Sequence, residues 1–282
     1  MKLYPDLGYP RKSQAEPDCL LFMLPNSVTV TQVRFLGSLP RKITGLLLRT
    51  GVAPRRIEKL AIAKKLIELV GRLFLQLALS RRLSIFASTD VGYAGEIYNQ
   101  DFLIGYFQSW RYNASETVRE RMMSISPKDD RKEFRDLMIE AQQVSPIVVH
   151  IRLGDYLEEP HFGIPSVEYY LDALGYLRHL DARPVWIFTN DVNSLKLKYN
   201  DLLSERTVIV NDDTLNPAQV MQVMRHGSAY VIGNSSFSWW AANLRFDRSA
   251  TVFAPKPWFR YMPEPMDLIP PGWRQMDSKW VQ

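Results

Sequence analysis

The feature that most constrains the fold is a regular alternation of strand-like and helix-like segments between residues 147 and 255. The strand candidates are IVVHIRL, PVWIFTN, TVIVN, AYVIGN and ATVFAP, and the helix candidates between them are SVEYYLDALGYLRHL, VNSLKLKYNDLL, NPAQVMQVMRHG and SFSWWAANLRF. Strands that alternate with helices of roughly 10–15 residues indicate βαβ units and a parallel sheet. We therefore predict a doubly wound α/β unit whose first strand follows Pro146.

The part of the chain before Pro146 is less regular. CLLFML, SVTVTQVRF, RRLSIFAS and DFLIGYFQSWRY are strand-like, and SETVRERMMSI and DDRKEFRDLMIEAQQ are predicted helices. Apolar residues between Pro54 and Ser80 recur at helical spacing. We predict an N-terminal lobe over residues 1–145 and a C-terminal lobe over residues 146–282.

Cysteine and histidine usage narrows the class of protein. Cys19 is the only cysteine, which excludes an intrachain disulfide and a multi-cysteine metal site. The histidines are His150, His161, His179 and His226. Their spacing matches no metal-binding motif, so we expect no metal. The N-terminus lacks the pattern of a signal peptide, and no apolar stretch reaches the roughly 18 residues of a membrane span. We expect a cytoplasmic protein.

Positive charge is concentrated before the α/β unit. Residues 41–82 hold eleven Lys or Arg and two Glu, in a chain of net charge +5. The simplest interpretation is the solvated face of a helix. The alternative is that residues 55–82 make a peripheral contact with acidic lipid at the inner face of the membrane. We predict no nucleic-acid partner, because the sequence carries no recognised nucleic-acid motif.

The end of the first strand of the α/β unit carries the first candidate site. Ligands of an open parallel sheet bind beyond the carboxyl ends of its strands. Here the strand leads into His150, Arg152, Gly154 and Asp155. His150 and Arg152 share one face of the strand, since side chains alternate. Arginine suits a phosphate, and Asp155 either orients Arg152 or acts as a base. A structural Arg–Asp pair is the alternative.

Two later strand ends are also polar. Asn190 and Asp191 follow the second strand, where such residues also form turns and helix caps. Asn234, Ser235 and Ser236 follow the fourth strand, just where a helix is predicted to begin. Free backbone amides at a helix N-terminus bind phosphate, so this segment is a candidate diphosphate cradle. The alternative is that it is a helix N-cap and nothing more. Neither a P-loop nor the dinucleotide-binding glycine pattern is present.

Six segments together resemble the bacterial α-1,2-fucosyltransferases of glycosyltransferase family 11. They are GYFQSWRY, VVHIRLGDY, FGIPSVEYYLDAL, WIFTNDV, GNSSFSWWAANL and VFAPKPWF, in order over residues 90 to 260. The resemblance implies a GT-B-like fold of two Rossmann-type lobes. It implies inverting, metal-independent transfer of fucose from GDP-fucose to the 2-hydroxyl of a terminal β-galactoside. The partners expected are therefore GDP-fucose and a galactose-terminated glycan, with no cofactor.

The same resemblance assigns roles to residues. Arg152 is expected to hold the donor β-phosphate and to stabilise charge on the departing GDP. His150 and Asp155 share its motif, and Asp155 is the first choice for the general base. The resemblance places the remaining donor-binding residues at Gly154, Asn190, Asp191, Asn234, Ser235, Ser236 and Phe237.

The beginning of the chain departs from the family pattern. Members of this family usually begin with a glycine-rich G-G-L-G-N-Q block. The segment FLGSLPRKITGLL of this chain does not match that block. The resemblance makes the N-terminal lobe, residues 1–145, the acceptor side, and the C-terminal lobe, residues 146–282, the nucleotide-sugar-binding side. Either the start is truncated, which leaves the acceptor lobe incomplete, or the N-terminal lobe has diverged. The alternatives to an active fucosyltransferase are an inactive or donor-binding remnant and a related enzyme that uses another nucleotide sugar.

Overall fold

The chain divides into two compact units in a computed structural model. One unit comprises residues 1–19, 24–116 and 265–268, and the other comprises residues 20–23, 117–264 and 269–282. The structure describes residues 2–3, 22–23, 29–30, 85–88, 92–93, 95–97, 102–105, 107–128, 131–177, 180, 182–211 and 215–281. The predicted helix between Pro54 and Ser80 and its basic face lie outside the described residues. The lobe boundary at 145/146 stays a prediction.

The first unit contains two short parallel strand pairs. Strands β1 (Lys2–Leu3) and β3 (Thr29–Val30) pair, and so do β4 (Ile85–Ser88) and β5 (Phe102–Gly105). A 3-10 turn at Trp110–Asn113 follows β5.

A segment from near the C-terminus, residues 265–268, packs within this first unit. The Arg111 guanidinium lies 3.0 Å from an Asp267 carboxylate oxygen, and the Ser109 hydroxyl donates to the Asp267 carbonyl. The Tyr93 amide donates to the carbonyl of Met266. These contacts hold the segment against the residues around the 3-10 turn.

The second unit is built on a six-stranded, fully parallel sheet. Its strands are β7 (Ile147–Ile151), β8 (Val185–Thr189), β9 (Thr207–Asn211), β10 (Ala229–Ile232), β11 (Thr251–Lys256) and β12 (Arg274–Asp277). Its helices are α1 (Glu116–Met123), α2 (Lys132–Val144), α3 (Val167–Tyr176), α4 (Val192–Lys198), α5 (Pro217–Met224) and α6 (Ser236–Asn243). A separate antiparallel pair joins β2 (Phe22–Met23) to β6 (Ser126–Pro127). The predicted parallel α/β unit is confirmed.

The order of the strands fixes where a ligand site can form. The order across the sheet is β12-β11-β10-β7-β8-β9, so the chain winds outward from β7 in one direction and from β10 in the other. Strands β7 and β10 are neighbours, with His150 opposite Ile232. In open α/β sheets the crevice opens where the winding reverses. That point lies beyond the carboxyl ends of β7 and β10.

The two faces of β7 have different roles, as alternation predicts. Val149, Ile151 and Leu153 are fully buried in the apolar core that α3 covers. His150 points to the other face and contacts Phe237 of α6. Burying an aliphatic side chain stabilises a fold by roughly 1.5–3 kcal/mol, so this core fixes the register of β7 and the position of the residues that follow it.

The helix predicted over residues 192–203 is interrupted. Helix α4 ends at Lys198, and a separate 3-10 turn covers Asn200–Leu202. Tyr199 between them is fully buried, with φ −129°, and its hydroxyl donates to the Pro165 carbonyl over 2.6 Å. Anchoring this side chain in the core takes the backbone out of the helical region.

Strand β12 was not predicted from the sequence. Its residues are RQMD, of which three are exposed, and it forms one edge of the sheet beside β11. An edge strand of polar residues has no apolar alternation to reveal it. Within the described part of the chain, no helix is long and apolar enough to cross a bilayer.

Candidate active site

Arg152 and Asp155 form a two-pronged ion pair just beyond β7. Arg152 Nε donates to Asp155 Oδ1 over 2.8 Å, and Nη2 donates to Oδ2 over 3.2 Å. The Arg152 side chain is 27% exposed and that of Asp155 is 60% exposed. A planar guanidinium has five N–H donors in a fixed fork. The pair therefore fixes the plane of the guanidinium, and because no other described residue bonds to it, Nη1 is left for an anionic ligand.

Gly154 and Asn190 shape the turn that carries this pair. Gly154 has φ +49°, in the left-handed region that favours glycine. A Cβ at this position would lie 2.7 Å from Asn190 Nδ2. Asn190 Oδ1 accepts a hydrogen bond from the Leu153 amide over 2.8 Å, which ties the end of β8 to the turn after β7. Both residues thus position Arg152 and Asp155.

The N-terminus of α6 lies beside this turn, on the other side of the strand-order reversal. Ser235 is the N-cap residue with extended backbone, and its side chain makes no capping hydrogen bond. Ser236, the first helical residue, is exposed. The first amides of a helix have no intrahelical partner and carry partial positive charge. Because the Ser235 hydroxyl does not cap them, they suit an anionic group.

His150 is a buried, neutral histidine below this end of α6. It is 4% exposed, and its Nδ1 has no hydrogen-bond partner in the described part of the protein. Burial, aided by the positive charge of Arg152, lowers the His150 pKa to about 3. The imidazole ring lies 5.8 Å from the Phe237 ring, centroid to centroid. Nδ1 is buried as well as unpartnered, so the neutral imidazole packs beneath α6 and adds no second positive charge beside Arg152.

Tyr156 and Asn234 join the two loops of the site. The Tyr156 hydroxyl donates to the Asn234 carbonyl over 3.4 Å. Burial raises the Tyr156 pKa to about 12, so the hydroxyl keeps its proton at neutral pH. Tyr156 was not among the predicted site residues, although its place directly after Asp155 in the quoted motif was a usable signal.

The Asn234 side-chain amide donates within the protein. It is 2% exposed, and Nδ2 donates to the carbonyls of Phe162 and Gly163 over 2.9 and 3.0 Å. Both amide protons are therefore used within the protein. Asn234 fastens the 159–163 loop to the N-terminus of α6.

Asp191 lies at the same edge of the sheet, and its carboxylate is hydrogen-bonded within the protein. It is the N-cap of α4 and accepts hydrogen bonds from the backbone amide and the hydroxyl of Ser194. These bonds, the backbone one first, lower the Asp191 pKa. This is the helix-cap alternative that the sequence left open. Its role as a donor contact stays a prediction.

The structure thus places the predicted residues at the carboxyl edge of one sheet. Those that surround the strand-order reversal are His150, Arg152, Gly154, Asp155, Asn234, Ser235, Ser236 and Phe237, with Asn190 tied to them and Asp191 one strand further out. An oriented guanidinium and uncapped helix amides together favour a phosphate-bearing ligand. Among the described residues, no cluster of three His, Cys, Asp or Glu is placed to hold a metal ion.

Comparison with known proteins reveals relatives for most of the chain. The sequence profile of glycosyl transferase family 11 matches residues 52–274. An alpha-1,2-colitosyltransferase of Escherichia coli is 33% identical over 185 residues, which cover 62% of this chain and 62% of that protein. The O-antigen biosynthesis glycosyltransferase WbnK of Escherichia coli is 31% identical over 118 residues, covering 39% of this chain and 38% of that protein. The matches thus span less than two thirds of either relative.

Among solved structures, two crystal structures of NodZ alpha-1,6-fucosyltransferase align with this chain. The crystal soaked with GDP-fucose aligns with a TM-score of 0.32 and 18% identity, covering 55% of this chain and 57% of NodZ. The crystal grown with GDP aligns with a TM-score of 0.32 and 17% identity over 52% of each chain.

Proposed function

This chain belongs to glycosyl transferase family 11, and on that premise we propose that it transfers a deoxyhexose from a nucleoside diphosphate to a glycan. The donor we propose is GDP-fucose, and the acceptor is the 2-hydroxyl of a terminal β-galactoside. The anomeric centre inverts and no metal takes part. The fold we propose for the whole protein is GT-B-like, with the described parallel sheet as the nucleotide-sugar lobe.

The observation that carries the proposal is the Arg152–Asp155 pair facing the uncapped N-terminus of α6 across the strand-order reversal. A diphosphate has two anionic groups, and the site offers two matching features. The free Nη1 of Arg152 suits the β-phosphate, and the amides at the start of α6 suit the other phosphate. Because the buried His150 is neutral, it does not repel the cationic guanidinium of Arg152.

The reaction requires two bond changes and one proton transfer. The acceptor 2-hydroxyl oxygen attacks C1 of fucose and gives up its proton to water, while the bond from C1 to the β-phosphate oxygen breaks with its electron pair leaving on GDP. Arg152 stabilises the charge that develops on that oxygen. Both Asp155 oxygens already accept from Arg152, which favours an orienting role for Asp155 over that of the base that takes the hydroxyl proton.

The identity of the donor sugar has one specific rival. The relative named alpha-1,2-colitosyltransferase is 33% identical to this chain. Colitose is fucose without its 3-hydroxyl, so a site that serves one of these sugars differs little from a site for the other. A donor-binding remnant without turnover is the remaining alternative. We also propose that the protein is cytoplasmic and that residues 55–82 contact the membrane peripherally.

The test is release of GDP from GDP-fucose and, separately, from GDP-colitose, with lactose as acceptor. We expect lactose-dependent release, faster with GDP-fucose, and a product whose linkage at the galactose 2-position is established by NMR. Faster release from GDP-colitose would make colitose the donor sugar. GDP binding without release from either donor would identify a remnant.

A further inference from the structure

An exposed aromatic surface lies next to the candidate active site. It consists of His161, Arg260 and Tyr261, and we call it the Tyr261 surface. Tyr261 is 63% exposed, and its ring meets the His161 ring edge to face at 6.4 Å between centroids. The Arg260 guanidinium lies 4.8 Å from the centre of the Tyr261 ring. These side chains therefore form one ordered group on the outside of the protein.

The backbone under this surface is rigid. The Arg260 and Tyr261 amides donate to the carbonyls of Phe162 and His161 over 3.0 and 3.2 Å. A Cβ at Gly163 would lie 2.6 Å from the Trp280 ring, so the 159–163 loop packs closely on the protein there. A large exposed aromatic on a fixed backbone loses little entropy when it binds a ligand.

Buried anchors hold the other half of the surface. Trp258 is fully buried, and its amide donates to a Glu264 carboxylate oxygen over 2.8 Å. The buried ring of Phe259 packs against that of Phe162 at 5.8 Å. The segment that carries Arg260 and Tyr261 is therefore fixed from both sides, by its own core residues and by the 159–163 loop.

The position of the surface connects it to the candidate active site. The 159–163 loop follows β7, which ends just before Arg152, and residues 257–261 follow β11, so both lie at the carboxyl edge of the sheet. Asn234, at the start of α6, donates to the Phe162 and Gly163 carbonyls. The proposed donor pocket and the Tyr261 surface thus share the 159–163 loop.

The chemistry of the surface suits a sugar. A pyranose ring has an apolar face of C–H groups and a rim of hydroxyls. The Tyr261 ring offers apolar area with a polar tip, and the Arg260 guanidinium offers N–H donors. In the described part of the chain, no carboxylate pairs with Arg260, so its donors are not neutralised.

We propose that the Tyr261 surface is an acceptor subsite, which binds a sugar of the acceptor glycan while the donor occupies the crevice beyond β7 and β10. The inference rests on the proposed glycosyl transfer and assigns its acceptor side to named residues. Tyr261 packs against the C–H face of the sugar, and Arg260 and His161 bond to its hydroxyls.

The test combines direct binding with kinetics on the full chain. Saturation-transfer NMR with lactose, in the presence of GDP, is run on the wild type, Tyr261→Ala and Tyr176→Ala. Tyr176 is a matched control, because it is 64% exposed but ends α3, which leads back to the amino ends of the strands. Thermal unfolding of each variant checks that it folds. The KM for lactose, the kcat and the lactose-independent hydrolysis of GDP-fucose are measured in parallel.

We expect Tyr261→Ala to lose most of the lactose signal and to raise the lactose KM on the order of five- to tenfold. Donor hydrolysis should stay unchanged, and Tyr176→Ala should match the wild type. A folded Tyr261→Ala with a wild-type lactose signal and KM would overturn the acceptor subsite and leave the transferase proposal intact. A wild type that binds no lactose would also overturn it, whereas absence of GDP release with lactose still bound would overturn the transferase proposal alone.

Discussion

At the scale of single residues, Arg152 has the features expected of an anion-binding group that is prepared before its ligand arrives. Two of its N–H groups are bound by Asp155, and its side chain remains accessible. A guanidinium that is already oriented loses less freedom on binding than a mobile one. The value of the pair therefore lies in orientation, because an exposed ion pair contributes little to stability.

This leads to a prediction for Asp155→Asn. Loss of the carboxylate removes the two-pronged hold on Arg152, so we expect kcat/KM for transfer to fall about tenfold, as for a misplaced charge-stabilising group. The unfolding midpoint should barely change. The control is Glu158→Gln, an exposed acid at the end of the same turn. Equal activity of Asp155→Asn and the wild type would show that Arg152 needs no orienting partner.

A second prediction concerns Gly154. Alanine there meets a positive φ of +49° and a contact 2.7 Å from Asn190 Nδ2. We expect Gly154→Ala to lower the free energy of unfolding by about 1–3 kcal/mol. Gly175→Ala is the control of opposite sign. It lies within α3 with nothing within 4 Å of the added methyl, so it should raise stability by roughly 0.5–1 kcal/mol. Urea unfolding measures both, and a neutral Gly154→Ala contradicts the assigned turn.

At the scale of elements, the loops of the candidate site depend on one another through Asn234. Its two donated hydrogen bonds join the N-terminus of α6 to the loop that carries His161. Tyr156 closes the same junction from the turn after β7. A substitution of Asn234 should therefore affect the 159–163 loop, which is distant from Asn234 in the sequence.

We predict that Asn234→Asp loosens the 159–163 loop, because a carboxylate cannot donate to two carbonyls. Buried unmade hydrogen bonds cost about 1–3 kcal/mol, so unfolding free energy should fall by that amount or more. The amides of Arg260 and Tyr261, which bind this loop, should exchange hydrogen faster. Asn216→Asp is the control, since Asn216 accepts from the Gln219 amide as the N-cap of α5 and aspartate does so equally well. Unchanged exchange in Asn234→Asp would contradict the positioning role.

The sequence predicted the elements where pattern and burial agree. Strand β9 has its predicted bounds, and β7 begins where predicted but ends at Ile151. The core encloses the apolar run of β7, which is why the sequence pattern predicted this strand. Edge strand β12 escaped prediction because its residues are mostly polar and exposed. Local sequence also cannot distinguish an asparagine that donates within the protein from one that faces a ligand. In the sequence, Asn234 and Asp191 are both polar residues that follow a predicted strand. Only the tertiary structure shows which groups each side chain bonds.

At the scale of the whole molecule, buried histidines make stability depend on pH. Burial lowers the pKa of His150 to about 3 and that of His226 to about 4. The unfolded chain binds protons at these two histidines below about pH 6.5, while the folded chain does not bind them there until the pH is far lower. The unfolded state therefore takes up more protons in this window, and stability falls as pH falls from 6.5 toward 4.

We predict that His150 alone costs the fold about 1.6 kcal/mol between pH 6.5 and pH 5, since the slope rises from half of 1.36 kcal/mol per pH unit at pH 6.5 to nearly the full value at pH 5. Urea unfolding of the wild type and His150→Asn at these two pH values measures the effect. The variant should show a shallower dependence, with His226 contributing to the part that remains. Identical slopes in the two proteins would contradict a neutral, buried His150.

The most direct test of the central claim is a calorimetric titration of GDP into the wild type and into Arg152→Ala. The claim is that the crevice beyond β7 and β10 binds a nucleoside diphosphate through Arg152. We expect GDP to bind the wild type and to bind a folded Arg152→Ala at least about tenfold more weakly, as for loss of a charge-assisted hydrogen bond. Equal affinity in the two proteins, or no binding of GDP by the wild type, would contradict the account.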